Sequence, residues 1–224
     1  RLLFVAEAVA LAHVGRPLVL ARWAREAGYE VHFACGERYA PLVREAGFDP
    51  IHLTTIVPES FYGRVSRGAF FYTARELEGY VPAERALLAR INPDLVIGDF
   101  RLSLDISTTL AGVPLLALIN AHWSPAAACR FPAPNQGLYA RIPAGFREHL
   151  FERLRPLAFR IFAAPLNRVR RRFGLPALAD FRELYAAGTH CAYLDLPDLE
   201  PLARPAPAGH FYLGPVVWAP GEAT

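Results

Sequence analysis

Short apolar runs alternate with amphipathic stretches through most of the chain, and this alternation limits the folds open to it more than any other feature. Such a pattern is typical of parallel strands joined by helical crossovers. Strands are predicted over residues 2–6, 29–34, 48–53, 94–98, 114–119, 190–194 and 210–213. The sequence therefore predicts an α/β fold with a single Rossmann-like, open and mostly parallel sheet covered by helices on both faces.

Helical periodicity fills the intervals between these strands. Pro17 is interpreted as a first-turn residue of a helix that ends at Gly28. Further helices are predicted over residues 38–46, 73–90, 102–110, 141–173 and 180–186. Pro156 and Pro165 are expected to break the longest of these helices. Residues 54–71 show no periodicity and are predicted to form a long loop.

Composition argues against several classes of protein. The chain is 53% hydrophobic and 20% charged, which is typical of a folded domain rather than a disordered segment. No run approaches the roughly 20 apolar residues that span a bilayer, so an integral membrane protein is not expected. The net charge of +3 is too small to indicate nucleic-acid binding. The cysteines are widely spaced and form no CxxC pair, which predicts neither a disulfide framework nor a zinc site. A reducing, cytoplasmic location is therefore expected.

Positive charge is nevertheless concentrated in one stretch. Nine arginines and only two acids, Glu148 and Glu152, lie between Arg141 and Arg172. A solvated helix face explains this density, and so does electrostatic contact with a membrane surface or an acidic partner. Peripheral contact of residues 141–173 with the inner face of a membrane therefore stays open as an interpretation.

Two polar residues are candidates for chemistry because each follows a predicted buried strand. His13 comes after the first strand and Asp99 after the fourth, and open α/β sheets bind ligands beyond the carboxyl ends of their strands. A carboxylate can keep one imidazole nitrogen protonated and leave the other free as a base. The sequence thus predicts His13 and Asp99 as a catalytic pair, while the same position also suits Asp99 as a helix N-cap.

Aromatic residues are concentrated in the segments that follow the third and fifth strands. The residues predicted to bind an acceptor are Phe61, Tyr62, Phe70, Phe71, Tyr72, Asn120, His122 and Trp123. Apolar walls with few polar groups suit a flat or lipidic ligand. Simple packing of the two segments is the alternative interpretation.

Three stretches of the chain resemble glycosyltransferases of the GT-B fold, especially the family-1 type that glycosylates natural products and lipids. The stretches are LAHVGRPLVLARWAREAGYEVHFA at 11–34, NPDLVIGDFRLSLDISTTLAGVPLLAL at 92–118 and FYLGPVVWAP at 211–220. Their order and spacing extend the resemblance over essentially the whole chain. One departure is that no glycine occurs between Glu7 and Ala12, so the first turn is not expected to cradle a phosphate.

The resemblance implies an inverting, hexosyltransferase-type reaction in which His13 takes the proton of an acceptor hydroxyl and Asp99 orients the imidazole. It implies a nucleotide-sugar co-substrate, such as a UDP- or dTDP-sugar, and an acceptor that is a hydrophobic or aromatic small molecule or a lipid. No other cofactor and no metal ion are expected, since the sequence has no Asp-x-Asp or clustered carboxylates to hold a cation.

The resemblance also implies a domain organisation. Residues 1–213 correspond to the N-terminal, acceptor-binding domain, and residues 214–224 to the start of an interdomain linker with no partner element. The C-terminal donor domain has no counterpart in this chain. It is expected to be supplied in cis by a longer protein, the favoured case, or in trans by a second polypeptide.

Two other functions stay open. A sugar-nucleotide epimerase of the same architecture would consume no hydroxylated acceptor. A non-catalytic binding subunit of a split transferase would function without His13. A nicotinamide-dependent enzyme is disfavoured, because no Gly-x-Gly-x-x-Gly follows the first strand.

Overall fold

Seven parallel strands form the centre of the structure, a computed structural model that describes residues 1–128, 131–133 and 140–219. The strands are β1 (Leu2–Ala6), β2 (Val31–Cys35), β3 (Pro50–His52), β4 (Leu95–Asp99), β5 (Leu115–Ile119), β6 (His190–Tyr193) and β7 (His210–Tyr212). Their order across the sheet is β3-β2-β1-β4-β5-β6-β7, and each pairing is parallel. The predicted Rossmann-like sheet is confirmed.

Helices connect the strands and cover the sheet. They are α1 (Ala12–Glu26), α2 (Ala40–Glu45), α3 (Pro58–Val65), α4 (Ala74–Ile91), α5 (Leu104–Ala111), α6 (Ala144–Arg172) and α7 (Arg182–Tyr185). Single 3-10 turns occur at Glu37–Tyr39 and Ala121–Trp123. In the described part of the chain, no helix is both long and apolar enough to cross a bilayer.

Neighbouring residues of β1 belong to cores on opposite sides of the sheet. Phe4 lies in one apolar cluster with Leu18 of α1, whereas Leu3 lies in another with Leu88 of α4. Side chains alternate between the two faces of a strand, so a strand covered on both faces must be apolar at every position. This requirement explains why the strands could be recognised as unbroken apolar runs.

The prediction that residues 54–71 form a loop was wrong, because α3 lies inside this segment. Pro58 occupies the first turn of α3, where its missing amide hydrogen is not needed, and Glu59 places a negative charge near the helix N-terminus. No residue of α3 is fully buried. The helix has only eight residues, about two turns, which is too short for its period to be read from the sequence.

The predicted breaks at Pro156 and Pro165 were also wrong, since α6 continues through both prolines. A proline in a helix interior removes one hydrogen bond and costs about 3 kcal/mol. The buried side chains of Phe159, Ala163 and Leu166 hold the middle of α6 against the core. Tertiary packing thus offsets the local cost of the prolines.

The segment after β7 has no regular secondary structure, but it does have a partner. A Cβ atom added to Gly15 of α1 would lie 3.1 Å from the indole of Trp218, so this ring is in close contact with the helix backbone. Val216 packs against the same apolar cluster as α1. The expectation that the segment has no partner element was wrong for residues 214–219, and residues 220–224 lie outside the described residues.

Candidate active site

The carboxyl ends of β1 and β4 meet at the centre of one sheet edge, where Ala6 is in register with Asp99. The connection after β1 leads to β2 on one side, and the connection after β4 leads to β5 on the other side. Such a reversal of strand order opens a crevice that is the usual ligand site of α/β sheets. Both residues predicted to carry the chemistry belong to this crevice.

The side chains of His13 and Asp99 are in direct contact. The Nδ1 atom of His13 lies 2.7 Å from Oδ1 of Asp99. The Asp99 side chain is fully buried, whereas 22% of the His13 side chain is exposed. A carboxylate can only accept a hydrogen bond, so Nδ1 carries the proton and Nε2 keeps a free lone pair. The pair has the arrangement that a general base and its orienting acid require.

The helix that holds His13 begins earlier than predicted. His13 is the second residue of α1 and not part of a turn before it, while Pro17 lies in the helix interior instead of the first turn. The N-cap residue is Leu11, which makes no side-chain hydrogen bond. Serine, threonine, aspartate and asparagine, which commonly cap helix N-termini, do not occur at this helix start. The beginning of the helix was therefore predicted from Pro17, which placed it too late.

Arg16 completes the surroundings of Asp99 and was missed in the sequence. Its Nε atom donates to Oδ2 of Asp99 at 3.1 Å, and its Nη2 atom donates to Oδ1 at 3.0 Å. His13 and Arg16 are three residues apart on α1 and therefore share one face of the helix. This spacing was the available signal. The guanidinium offsets the buried negative charge that the imidazole alone would leave uncompensated.

The hydrogen-bond chain continues across the sheet edge to β5 and β6. Nη1 of Arg16 donates to Oδ1 of Asn120 at 2.9 Å, and Nδ2 of Asn120 donates to Oδ1 of Asp195 at 2.9 Å. Asp195 also accepts from the backbone amide of Ala121. Asn120, predicted as an acceptor contact, is thus bonded to protein at both ends of its amide. Its position beside Arg16 makes it part of the support for Asp99.

Phe100 lies against the imidazole of His13. The ring centroids are 4.4 Å apart and the planes differ by 16°. The backbone of Phe100 is left-handed, with φ of 58°, which is unusual for a residue with a bulky side chain. Such conformations persist where the surroundings enforce them, and they concentrate at functional sites. Nothing in the sequence indicates this backbone conformation.

A buried ionic network directly follows Phe100. Nε of Arg101 donates to Oε1 of Glu84 at 2.7 Å, and Nη1 donates to Oε2 of Glu7 at 3.0 Å and to the carbonyl of Thr54 at 2.7 Å. The hydroxyl of Ser103 also donates to Glu84. These bonds tie the residue after β1, the segment after β3 and the first turn after β4 to one guanidinium. The network therefore holds the backbone on both sides of the candidate pair.

Burial has an electrostatic effect within this network. Removal from water raises the pKa of Glu7, while Arg101 and the backbone amide of Ile56 act in the opposite direction. Ile56 donates to Oε1 of Glu7 at 2.9 Å. The proton of Glu7 is consequently held more tightly in the folded protein than in the unfolded chain.

The aromatic residues predicted after β3 divide into two groups. Phe61 and Phe71 lie 5.8 Å and 5.3 Å from Phe100, which places them one ring away from His13. Phe70 contacts Phe71 at 4.4 Å, and Tyr62, which is 56% exposed, contacts Phe61 at 5.2 Å. The structure thus brings Phe61 and Phe71 close to the candidate pair and leaves the other two further out.

Tyr72 differs from these residues because it is only 2% exposed. Its hydroxyl donates to the carbonyl of Phe100 at 3.4 Å. Tyr72 therefore packs inside the protein and helps to hold the backbone of Phe100 in place. The expectation that Tyr72 lines an open acceptor space was wrong.

Trp123 and His122 lie in the 3-10 turn after β5. Trp123 stacks on Tyr185 at 5.0 Å, and Tyr185 lies 5.7 Å from Phe100. His122 contacts Trp123 at 5.1 Å. Trp123 is thus connected to the candidate pair through two intervening rings, and the buried Tyr185 between Trp123 and Phe100 was not indicated by the sequence.

No group of three or more histidine, cysteine, aspartate or glutamate side chains is arranged to hold a metal ion within the ranges that the structure describes. Cys35 and Cys191 are both buried and unpaired. Burial raises the pKa of the Cys35 thiol to about 11 and that of Cys191 to about 12, so neither is a ready thiolate ligand. Cys129 lies outside the described residues.

Comparison with curated proteins relates nearly the whole chain to mycobacterial proteins, although no family model matches it. It is 46% identical over 222 residues to the "PGL/p-HBAD biosynthesis rhamnosyltransferase" of Mycobacterium bovis, covering 98% of this chain and 49% of the relative. It is 43% identical over 223 residues to the "Inactive PGL/p-HBAD biosynthesis glycosyltransferase" of the same species, covering 98% and 60%. The chain thus spans between 49% and 60% of the length of these relatives.

Solved structures show the same fold. The chain superposes on a glycotransferase of kitacinnamycin with a TM-score of 0.66 at 18% identity, covering 99% of this chain and 53% of the other. It superposes on the spinosyn rhamnosyltransferase SpnG complexed with thymidine diphosphate with a TM-score of 0.55 at 18% identity, covering 98% and 50%. In both cases the described sheet and its helices correspond to about half of a longer chain.

Proposed function

We propose that this chain belongs to the glycosyltransferases of GT-B type and forms their N-terminal, acceptor-binding half, with residues 214–224 leading towards a donor-binding half. The single observation that carries the proposal is the contact between His13 and Asp99 at the point where the strand order reverses. One relative is named inactive, so sugar transfer by this member is a property that the experiment below has to measure.

In the proposed reaction, Nε2 of His13 removes the proton of an acceptor hydroxyl. The oxygen attacks the anomeric carbon of the nucleotide sugar, the bond to the diphosphate breaks, and the configuration at that carbon inverts. Asp99 keeps the proton on Nδ1 and stabilises the imidazolium that forms. Arg16 holds the carboxylate in place through two hydrogen bonds. The chain's own contribution is thus proton transfer and orientation of the base.

The acceptor we propose is a hydroxyl of a hydrophobic, aromatic or lipid molecule. Phe61, Phe71 and Phe100 lie next to the imidazole, and aromatic walls with few polar groups favour such ligands. We propose a rhamnosyl group as the transferred sugar, after the name of the 46% identical relative, and a dTDP- or UDP-sugar as donor. The donor is expected to be bound by the other half of the transferase, in cis or in trans.

The test uses the protein that contains this chain together with its donor half. Transfer from a dTDP- or UDP-sugar to a panel of hydrophobic acceptor alcohols is measured by mass spectrometry. His13→Ala is expected to lower turnover by about 10²-fold or more, as expected for loss of a general base, and Asp99→Asn is expected to lower it as well. His32→Ala serves as the matched control, because His32 pairs with Glu30 at the opposite end of the sheet.

A non-catalytic binding subunit is a second candidate, favoured by the relative that is named inactive. Such a subunit would bind the acceptor equally well with or without the imidazole, and turnover would not depend on His13. Near-normal transfer by His13→Ala would therefore refute the proposed mechanism. Loss of transfer with retained acceptor binding would support it against the binding-subunit alternative.

A further inference from the structure

The outer face of α6 carries a continuous apolar stripe. Phe146, Leu154, Leu157 and Ile161 are 63%, 41%, 57% and 59% exposed and recur at helical spacing. We refer to these four residues as the α6 stripe. They extend over 16 residues of helix, and the first and last are about 22 Å apart along the axis at a rise of about 1.5 Å per residue. Isolated exposed apolar residues are common, but a contiguous row along one helix face indicates a contact surface.

Arginines border the α6 stripe. At about 100° per residue, Arg153 and Arg160 lie along one edge of the stripe and Arg147 along the other. Glu148 and Glu152 lie about half a turn away, on the opposite side of the helix. An apolar row flanked by cations and free of acids is the pattern of a helix that lies in a membrane interface, where arginine stems follow the apolar surface and their charges reach the headgroups.

The inner face of the same helix is connected to the candidate active site. Rings follow one another in the order Phe159, Phe131, Trp123, Tyr185, Phe100 and His13, with centroid separations of 5.4, 6.0, 5.0, 5.7 and 4.4 Å. Phe159 and Tyr185 are buried, so these rings pack the inner face of α6 against the candidate active site as part of the core. The exposed surface on the outer face of α6 is independent of the proposed function.

We propose that the α6 stripe and its bordering arginines dock the protein on an anionic lipid surface. Charge complementarity selects this occupant: a purely apolar partner would leave Arg153 and Arg160 without counter-charges, and anionic headgroups provide counter-charges along both edges. The helix lies on the surface and does not enter the bilayer as a spanning segment.

The test measures partition of the protein onto unilamellar vesicles by co-sedimentation. Vesicles of phosphatidylcholine alone are compared with vesicles that contain about one third phosphatidylglycerol. Partition is expected to be at least tenfold stronger onto the anionic vesicles and to weaken as salt is added. Equal partition onto both kinds of vesicle, or none onto either, would overturn the proposal.

Variants separate the apolar and the electrostatic contributions. Leu157→Gln with Ile161→Gln keeps good helix formers on exposed positions and is expected to lower partition at least tenfold. The matched control is Leu196→Gln with Leu199→Gln, which removes two exposed leucines elsewhere (46% and 75% exposed) and is expected to leave partition unchanged. A similar loss in both variants would contradict a specific role for α6.

Arg153→Gln with Arg160→Gln is expected to weaken partition onto anionic vesicles by about 20- to 30-fold, since each arginine near such a surface contributes about fivefold. Arg85→Gln with Arg90→Gln on α4 makes the same change in net charge and is the control, with little effect expected. Equal losses would show that net charge alone attracts the protein.

Two other occupants of the face have distinct outcomes. Pairing of two copies through α6 would appear as self-association in sedimentation velocity that Leu157→Gln with Ile161→Gln abolishes, without vesicle binding. Coverage by the remainder of a longer protein would appear as vesicle binding by this chain but not by that longer protein. Either outcome would refute lipid docking, and neither would change the expected effect of His13→Ala on transfer.

Discussion

Replacement of Arg16 by glutamine tests whether the candidate pair is in fact a group of three. The Asp99 side chain is completely buried and accepts two hydrogen bonds from Arg16 and one from His13. Arg16→Gln removes the only full positive charge among these partners. A carboxylate without exposure to water then remains beside an imidazole alone.

The magnitude follows from the burial of the two side chains. Breaking a buried ion pair on one side costs about 3 to 5 kcal/mol, and the 15% exposure of Arg16 places the expected loss near the lower end, about 3 kcal/mol. In an Asp99→Asn background the charge is already absent, so the same substitution is expected to cost only about 1 kcal/mol. The double-mutant cycle should therefore give a coupling free energy of about 2 kcal/mol.

Urea denaturation followed by far-UV circular dichroism measures the four free energies of unfolding. Arg85→Gln, an exposed substitution on α4, is the control and should change stability by less than about 0.5 kcal/mol. A coupling free energy within about 0.5 kcal/mol of zero would refute the view that Arg16 compensates the charge of Asp99. The same result would leave the role of His13 as a separate question.

Three further predictions concern the frame around the site. Arg101→Met should lower the free energy of unfolding by at least about 3 kcal/mol, because Glu7 and Glu84 would lose their shared cation; a loss below about 1 kcal/mol in urea denaturation would be incompatible with the network described. Gly15→Ala should stabilise a Trp218→Ala variant by about 1 kcal/mol, because alanine is the better helix former. It should not stabilise the wild type, where the added Cβ atom would lie 3.1 Å from the indole of Trp218. Equal effects on thermal denaturation in both backgrounds would contradict that contact. Burial raises the pKa of Glu7 above its ordinary value of 4.5, so the stability this group contributes is present below about pH 4.5 and is lost as pH rises through the folded-state pKa. The stability of the wild type relative to Glu7→Gln should accordingly fall as the pH rises above about 4.5, and a constant difference would speak against a raised pKa.

The sheet could be predicted from the sequence because buried parallel strands form unbroken apolar runs, as β1, β5 and the part of β4 before Asp99 do. The same rule placed His13 and Asp99 at one edge, since residues that follow such strands share the carboxyl end of the sheet. The local sequence pattern was sufficient to predict that His13 and Asp99 are close together. Their contact depends on which strands are neighbours and hardly on the conformation of the loops.

Other parts of the site depend on interactions that local pattern does not reveal. The start of α1 has no capping side chain, so the register that brings Arg16 beside His13 was not visible. The left-handed backbone of Phe100 and the bond from Asn120 to Asp195 depend on contacts between distant segments. Pro156 in α6 is tolerated only because of tertiary packing.

The parallel sheet has a consequence for how such proteins diversify. His13 at the start of α1 and Asp99 at the end of β4 lie at the centre of the sheet edge, whereas Phe61 and Trp123 lie on separate connections after β3 and β5. Insertions or substitutions in those two connections can reshape what is recognised without moving the central residues. Related chains with an unchanged histidine and aspartate are therefore expected to differ in acceptor preference mainly through these two outer segments.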